Sequence, residues 1–375
     1  MSQKKIAILF LDEIHHINHF VTVAIALSKT SSVSILTYPD KHAYLHKTLS
    51  RLNGDEVIIE QLKTAPFRAF TDTLKGRSIP RKGFWIKKNR AYILKKFDAI
   101  IFTDFFHRYF TEARGEANVP KFIKITHGTP GRGYSLKPQQ LDFDLQLLPG
   151  KNYLELLKNN NLLAQHHAVV GYPKINAVPD VSSMNLFPNQ KKIVLYNPHF
   201  SPPLSSWHTQ GLQILDYFYN QQEYNLIFAP HINLFHKVGG DTIDSIPEKY
   251  FHCPTIHMDL GSEKSVDMVY INKADIYLGD VSSQVYEFII NPRACIFINA
   301  EKVDFNEDPK FRFWQCGDVV EHTETLGTAL RNASENFSIY KPVQEKITEE
   351  NYYTEAGSTA SERAAKAILN FLNAN

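Results

Sequence analysis

The chain has 375 residues, of which 41 are Lys or Arg and 39 are Asp or Glu, so its net charge is only +2. At about 150 residues per domain this length predicts two domains, or three at most. The balanced charge argues against a protein that binds nucleic acid through its overall charge, and the 43% hydrophobic and 21% charged residues exclude a disordered or fibrous chain.

The cysteine content and the apolar runs indicate the compartment. Cys253, Cys295 and Cys316 are too few and too widely spaced for a disulfide framework or a four-thiolate zinc site. The apolar run at 6–11 is too short for a signal peptide, and no stretch approaches the ~20 apolar residues of a membrane-spanning helix. The sequence predicts a cytoplasmic protein, with peripheral association with the inner face of the cell membrane as a further option.

Short apolar segments alternate with amphipathic ones along the first 170 residues. The predicted strands are 5–11, 33–38, 56–62, 99–103, 121–126, 142–148 and 167–171. The predicted helices are 18–30, 42–52, 67–76 and 84–97. Such alternation is typical of a doubly wound parallel sheet with helices on both faces.

A polar, turn-rich segment at 178–192 predicts a linker, after which the alternation starts again. The predicted strands there are 193–196, 225–229, 255–259, 275–278 and 294–298, and the predicted helices are 208–222, 263–273, 283–291 and 360–375. We therefore predict an α/β protein with two Rossmann-like, doubly wound domains facing a central cleft. The N-terminal domain covers 1–185, the C-terminal domain covers 186–355, and a last helix in 356–375 crosses back to the N-terminal domain.

The first polar cluster follows the predicted strand 121–126 directly. It consists of His127, Gly128 and Thr129. An imidazole followed by glycine and a hydroxyl side chain suits a general base beside backbone amides that can face a phosphate. A glycine-rich turn with an exposed histidine would have the same sequence, so this cluster alone leaves both interpretations open.

Two further clusters follow strands of the second half. Pro230 and His231 come after strand 225–229, and Asp280, Ser282 and Ser283 come after strand 275–278. Backbone amides and hydroxyl groups at the start of a helix can form a phosphate site. The serines could equally be ordinary N-terminal caps, and a histidine after a strand is often a surface or core residue.

Taken together, these segments resemble the CDP-glycerol glycerophosphotransferase family, the teichoic-acid primases and polymerases with a GT-B fold. The matching segments are 127–130, 171–174, 196–200, 230–231, 274–283 and 357–363, and the resemblance covers about residues 120–370. The chain departs from the family at Val281, where Thr or Tyr is usual, and at 199–201, where Thr-Phe-Arg is usual. An Arg-Gly segment expected after the serines is not evident, and 311–314 is the nearest candidate.

The resemblance implies that an acceptor hydroxyl attacks the β-phosphorus of a CDP-activated polyol, with CDP-glycerol as donor and CMP released, in the synthesis of teichoic acid or capsular polysaccharide. It implies that His127 is the general base and that His231 stabilises charge on the donor phosphates. The implied donor-binding residues are Gly128, Thr129, Pro230, Asp280, Ser282 and Ser283. The residues expected on the acceptor side are His16, Asn18 and Arg132. No tightly bound cofactor is expected, and a divalent metal is not indicated.

Three other features have a structural and a functional interpretation. Asp142 and Asp144 have the spacing of a metal–nucleotide motif, but their place at the start of a strand favours a structural role. His15, His16 and His19 could bind zinc, but a flexible polar loop is favoured. The basic run at 75–96, interleaved with aromatic residues, predicts either a solvated helix face or a surface for anionic lipid headgroups or a phosphate-rich acceptor. No role in nucleic-acid binding is predicted.

Two other functions remain open at this stage. A nucleotide-sugar glycosyltransferase or a UDP-sugar epimerase would use the same fold, although an epimerase needs further carboxylates in its cleft. A non-catalytic protein that binds nucleotides or polysaccharides could also have this fold. Two histidines at strand ends favour an enzyme over a binding protein.

Overall fold

A computed structural model describes residues 3–77, 79–115, 119–128, 136–235, 241–282, 284–306 and 308–374. The chain divides into two compact units. Unit 1 contains residues Met1–Val178 and Glu350–Asn375, and unit 2 contains Pro179–Glu349. Unit 1 is therefore built from two separate segments of the chain.

Unit 1 has a seven-stranded sheet in the order β3-β2-β1-β4-β5-β6-β7, in which every neighbouring pair is parallel. Its strands are β1 (Lys5–Leu9), β2 (Ser32–Thr37), β3 (Ile58–Gln61), β4 (Ala99–Phe102), β5 (Lys121–Ile125), β6 (Leu145–Leu148) and β7 (His167–Val169). Its helices up to the linker are α1 (Ile17–Ser28), α2 (Ala43–Arg51), α3 (Pro66–Leu74), α4 (Lys82–Lys96), α5 (Thr111–Arg114) and α6 (Lys151–Asn159).

Unit 2 has a six-stranded parallel sheet in the order β10-β9-β8-β11-β12-β13. Its strands are β8 (Ile193–Asn197), β9 (Asn225–Phe228), β10 (Ile256–Met258), β11 (Ile276–Gly279), β12 (Ala294–Ile298) and β13 (Asp318–Val320). The helices from here to the end of the chain are α7 (Trp207–Asn220), α8 (Glu263–Val266), α9 (Val269–Lys273), α10 (Gln284–Phe288), α11 (Thr323–Asn351) and α12 (Ala360–Ala374). Of these, α12 belongs to unit 1.

The central strands form the cores because they are apolar at almost every position. In β1 the four residues 6–9 are all buried, and β4, β9 and β12 are buried along their whole length. Strands covered by helices on both faces require this continuous apolar pattern. The prediction of two doubly wound α/β units is confirmed.

The structure also contains elements that were not predicted and corrects one that was. Helices α5, α6 and α11 and strand β13 were not expected, and the helix predicted over 263–273 is two short helices, α8 and α9. The polar loop predicted to hold the first histidines is instead a 3-10 turn, Ile14–His16, that leads into α1. His16 and His19 are buried there, so they are not part of a flexible loop.

The order of each sheet identifies the points where ligands bind in this architecture. The strand order reverses between β1 and β4 in unit 1, and between β8 and β11 in unit 2. In open α/β sheets, ligands bind beyond the carboxyl ends of the strands at such reversal points. Within the described residues, no helix is both long and apolar enough to cross a bilayer.

Candidate functional site

The reversal point of unit 1 brings two histidines together. His16 follows β1, Thr103 follows β4 and His127 follows β5, which are neighbouring strands. The ring centroids of His16 and His127 are 4.4 Å apart, and His16 Nδ1 lies 3.2 Å from the Thr103 hydroxyl oxygen. His127, predicted to be catalytic, and His16, predicted on the acceptor side, are therefore neighbours in the folded unit.

The hydrogen bond of His127 determines its tautomer. His127 Nδ1 lies 2.6 Å from the backbone carbonyl oxygen of Thr103. A carbonyl can only accept, so Nδ1 carries the proton and Nε2 is the unprotonated nitrogen of the neutral ring. Burial and, next, the charge of Lys124 lower the pKa of His127 below its usual 6.5. The neutral ring that can accept a proton at Nε2 is thus the form present near neutral pH.

Lys124 is a buried cation that sequence reasoning did not single out. It is 4% exposed, and its ammonium group donates to the carbonyl oxygens of Thr103, at 2.6 Å, and of Ile125, at 3.1 Å. Burial lowers its pKa from 10.5 to about 7. The available signal was a lysine at an inner position of the otherwise apolar segment 122–125.

The other residues predicted in unit 1 have different surroundings. Asn18 is buried in α1 and its amide donates to the Tyr44 hydroxyl at 2.8 Å, so its side chain links α1 to α2. Gly128 has a φ of 73°, a backbone conformation that favours glycine. Thr129 and Arg132 lie outside the described residues.

A second pair of histidines lies beside the reversal point of unit 2. His199 follows β8 and His231 follows β9, and their ring centroids are 5.6 Å apart. Phe200 packs against both rings, at 4.5 Å from His199 and 4.6 Å from His231. The sequence indicated His231 as a site residue, but it did not indicate that His199 would stand beside it.

The hydrogen bonds of this pair give the opposite tautomer to that of His127. His231 Nδ1 accepts from the backbone N–H of Asn233 at 3.2 Å, and His199 Nδ1 accepts from the backbone N–H of Ser201 at 3.0 Å. Each ring therefore carries its proton on Nε2 when neutral, and that nitrogen is a donor. Nitrogens that donate in this way can stabilise negative charge on phosphate oxygens.

The carboxylate of Asp280 holds the backbone next to this histidine pair. Its carboxylate accepts from the backbone N–H of His199 at 2.8 Å, from the backbone N–H of Ser206 at 2.6 Å and from the Ser206 hydroxyl at 2.9 Å. The group is 2% exposed, and burial raises its pKa from 3.8 to about 6. Its oxygens are thus used to hold the loop that carries His199.

The remaining predicted residues of unit 2 lie around Asp280. The Ser282 hydroxyl accepts from the backbone N–H of Gln284, the first residue of α10, at 3.3 Å. Pro230 lies between β9 and His231, and His231 donates its backbone N–H to the Pro198 carbonyl at 3.0 Å. Ser283 lies outside the described residues.

The two aspartates with metal-motif spacing have partners within unit 1. Asp142 lies 2.8 Å from His107 Nε2, and Asp144 accepts from Arg114 at 2.5 Å and from the backbone N–H of Phe122 at 2.6 Å. Both carboxylates are therefore engaged in contacts within unit 1. In the ranges that the structure describes, no group of three or more His, Cys, Asp or Glu side chains could hold a metal ion.

Comparisons with known proteins identify the fold. No family model matches the chain, and no curated protein matches it either. Among solved structures, the wall teichoic acid polymerase TagF has a TM-score of 0.65 at 13% identity, covering 99% of this chain and 89% of that one. The UDP-GlcNAc 2-epimerase from Neisseria meningitidis has a TM-score of 0.58 at 14% identity, covering 100% of both chains. UGT89C1 from Arabidopsis thaliana, complexed with UDP, has a TM-score of 0.61 at 11% identity, covering 99% of this chain and 100% of that one. The chain has the GT-B fold.

Proposed function

We propose that this protein transfers glycerol phosphate, or a related polyol phosphate, from a CDP-activated donor to a hydroxyl group of a polysaccharide or lipid-linked acceptor. The observation that carries the proposal is the opposite tautomers of the histidines in the two units. His127 presents an unprotonated Nε2, as a base requires, whereas His199 and His231 present protonated Nε2 atoms, as phosphate ligands require. The motifs shared with the glycerophosphotransferases and the fold shared with TagF, a wall teichoic acid polymerase, support the same reaction.

The proposed step is a single displacement at phosphorus. The acceptor oxygen forms a bond to the β-phosphorus while the bond from that phosphorus to the bridging oxygen breaks, and CMP leaves with the bridging oxygen. The proton of the acceptor hydroxyl moves to His127 Nε2. Charge stabilisation and positioning supply most of the rate in phosphoryl transfer, so no covalent intermediate is needed.

The residues of unit 2 bind and stabilise the donor in this proposal. His231 and His199 donate to the phosphate oxygens as negative charge develops on the leaving group. Asp280 is a positioning residue, since its oxygens hold the His199 loop. The other proposed donor contacts in unit 2 are Pro230 and the two serines Ser282 and Ser283 with their neighbouring amides. Gly128 and Thr129 of unit 1 are also proposed donor contacts. The residues proposed on the acceptor side are His16, Asn18 and Arg132.

The basic run at 75–96 leads us to propose a membrane-bound acceptor as one option. Trp85, Ile86 and Ile93 of α4 are buried, while Lys87, Lys88 and Lys95 of the same helix are exposed. An exposed row of lysines attracts anionic lipid surfaces at about 1 kcal/mol per charge near the surface. Contact with the inner face of the membrane would bring the protein to a lipid-linked acceptor.

The proposal is tested by nucleotide release. The protein is incubated with CDP-glycerol, CDP-ribitol or a panel of UDP-sugars, and CMP, UMP and UDP are quantified by chromatography. We expect CMP from a CDP-polyol and a loss of about 10²- to 10⁴-fold in kcat for His127→Ala, because a general base contributes a factor of this size. Activity should also fall as the pH drops below the usual histidine pKa, when His127 becomes protonated.

A matched control separates catalysis from general damage. His252 is an exposed histidine of unit 2, and His252→Ala should retain the activity of the unsubstituted protein. Release of UDP from a UDP-sugar without any CMP from CDP-polyols would replace the proposal with a nucleotide-sugar reaction. Tight binding of nucleotides without release of any product would favour a non-catalytic binding protein.

A further inference from the structure

A large cavity in unit 1 lies beside the histidines and is not part of the proposed catalytic step. We call it the basic pocket: a cavity of about 770 Å³ lined by residues that follow β1 (Asp12, Glu13, His15), residues around the start of α4 (77, 79–84 and 87) and residues that follow β4 (106, 108 and 109). Its volume lies in the range of small-molecule sites. It meets the histidine cluster at His15, whose ring centroid is 4.4 Å from that of His16.

Five cationic side chains of the described residues line this pocket, and they differ in their partners. Arg81 donates to Asp72 at 2.6 Å, and Lys82 is paired with Asp12. Arg77, Lys87 and Arg108 are exposed, and none of these three forms an ion pair with another described residue. The wall also carries the exposed carboxylate of Glu13, which lies 3.5 Å from His15 Nδ1. The three cations without an ion pair outnumber this one carboxylate, and the excess of positive charge suits a ligand with one or more phosphate groups.

One acceptor atom beside this wall has no partner among the described residues. The carboxylate of Asp12 is 7% exposed, one of its oxygens is held by Lys82, and Oδ2 is buried with no hydrogen-bond donor among the described residues. A buried carboxylate oxygen without a donor is costly, and a ligand hydroxyl would satisfy it. Phe84 and Phe106 add apolar surface to the same wall, against which a carbon skeleton can pack.

We propose that the basic pocket binds a phosphorylated polyol or sugar. Arg77, Lys87 and Arg108 bind its phosphate, and Asp12 Oδ2 accepts from one of its hydroxyl groups. This ligand would be the acceptor of the reaction, with a further hydroxyl group directed past His15 and His16 toward His127. This assignment rests on the proposed function. The binding itself does not depend on it.

The test is a calorimetric titration of the whole protein, without a CDP donor. The probes are sn-glycerol 3-phosphate and glucose 6-phosphate, with glycerol and glucose as uncharged counterparts. We expect binding of the phosphorylated probes only. The triple variant Arg77→Gln, Lys87→Gln and Arg108→Gln should weaken their binding by at least about tenfold, because charge-assisted hydrogen bonds to phosphate are lost.

A control of equal charge excludes a purely long-range effect. Lys75, Lys88 and Lys95 are exposed and lie outside the pocket, so their triple replacement by Gln should leave the affinity within about twofold at 0.15 M salt. Equal loss of affinity in both triple variants would overturn the proposal. Binding to phosphatidylglycerol vesicles but not to the soluble phosphates would also overturn it, in favour of a lipid surface.

A second variant tests the hydroxyl contact. Asp12→Ala should weaken the binding of glycerol 3-phosphate more than that of inorganic phosphate, which has no polyol hydroxyl. Equal affinity of this variant and the unsubstituted protein for glycerol 3-phosphate would overturn the assigned role of Asp12. Binding of sugar phosphates without any release of CMP would support the pocket and contradict only the proposed reaction. Release of CMP without binding of the phosphorylated probes would contradict the pocket and leave the proposed reaction supported.

Discussion

Lys124 and His127 both donate to the carbonyl oxygen of Thr103, and this shared acceptor connects a buried amine to the proposed base. A positive charge on Lys124 disfavours a second positive charge on His127, and this effect is part of why the pKa of His127 is lowered. If His127 is the base proposed above, we expect Lys124 to be a positioning residue, because its charge favours the neutral imidazole and it shares the Thr103 carbonyl with that ring.

Replacing Lys124 by Met should change how stability depends on pH. In the folded protein its pKa is about 7, against 10.5 for the exposed amine, so the unfolded chain binds more protons between these values. The free energy of unfolding of unit 1 should therefore increase as the pH rises from about 7 to 10.5. In Lys124→Met this rise, a few kcal/mol at about 1.4 kcal/mol per pKa unit, should disappear from urea unfolding curves.

Lys121 supplies the control for this experiment because it lies on the same strand and is only half-buried. Lys121→Met should retain the pH slope of the unsubstituted protein. The activity of Lys124→Met should also begin to fall at a higher pH, because His127 loses a neighbour that lowers its pKa. A pH–activity profile unchanged in Lys124→Met would contradict the positioning role.

The segment 171–174, which contributes to the family resemblance, is explained in this structure by the docking of the C-terminal tail. Gly171 has a φ of 93°, and a Cβ atom there would lie 2.5 Å from the Tyr353 carbonyl oxygen. Arg363 links the same backbone segments, since it donates to the carbonyl oxygens of Val170, Ser358 and Tyr353 at 2.6–3.0 Å. The two matching segments thus meet within unit 1 as one structural feature.

Gly171→Ala should destabilise unit 1 by about 2 to 4 kcal/mol, the sum of backbone strain and steric overlap. Gly357 is the matched control, because it has a φ of 80° but no atom of the described part of the chain lies within 4 Å of an added Cβ. Gly357→Ala should cost only about 1 to 2 kcal/mol, from strain alone. Both are measured by urea unfolding followed through Trp85, the tryptophan of unit 1, with Trp207 and Trp314 replaced by Phe. Equal losses would mean that the close approach at Gly171 is unimportant.

Elements were predictable from sequence where one local pattern determines them. Apolar runs such as 294–298 identified the strands correctly, and polar residues directly after strands indicated His127 and His231. Helix α11 was missed because Gly327 and Pro342 interrupt its sequence and its helical form depends on packing. The contact between His127 and the Thr103 carbonyl and the pairing of His231 with His199 both depend on which strands are neighbours in the sheet. No local sequence pattern reveals that order.

At the scale of the whole molecule, unit 1 is completed only by the last residues of the chain. Ala364, Ile368 and Leu372 of α12 are buried, and the Ser361 hydroxyl donates to the Thr22 hydroxyl of α1 at 2.7 Å. The first segment of unit 1 therefore does not contain its own full core. Its stability should depend on the C-terminal segment, whereas unit 2 is continuous in sequence.

Ending the chain after residue 349 should destabilise unit 1 and leave unit 2 folded. Hydrogen exchange measured by mass spectrometry should show faster exchange in β1 and α1 and unchanged exchange in β8 and β11. Removing only residues 373–375 is the control, since Asn373 and Ala374 are exposed. Unchanged exchange in β1 after the longer truncation would mean that the first segment folds by itself.

The divided sequence of unit 1 also sets the order in which the protein can fold on the ribosome. The 171 residues of unit 2 (179 to 349) are made between the two parts of unit 1. At about 5 to 20 residues per second, roughly 9 to 34 s pass between the two parts. During this time the apolar side of α1 lacks its partner helix, so the nascent chain has a period of exposure in which a chaperone can bind it.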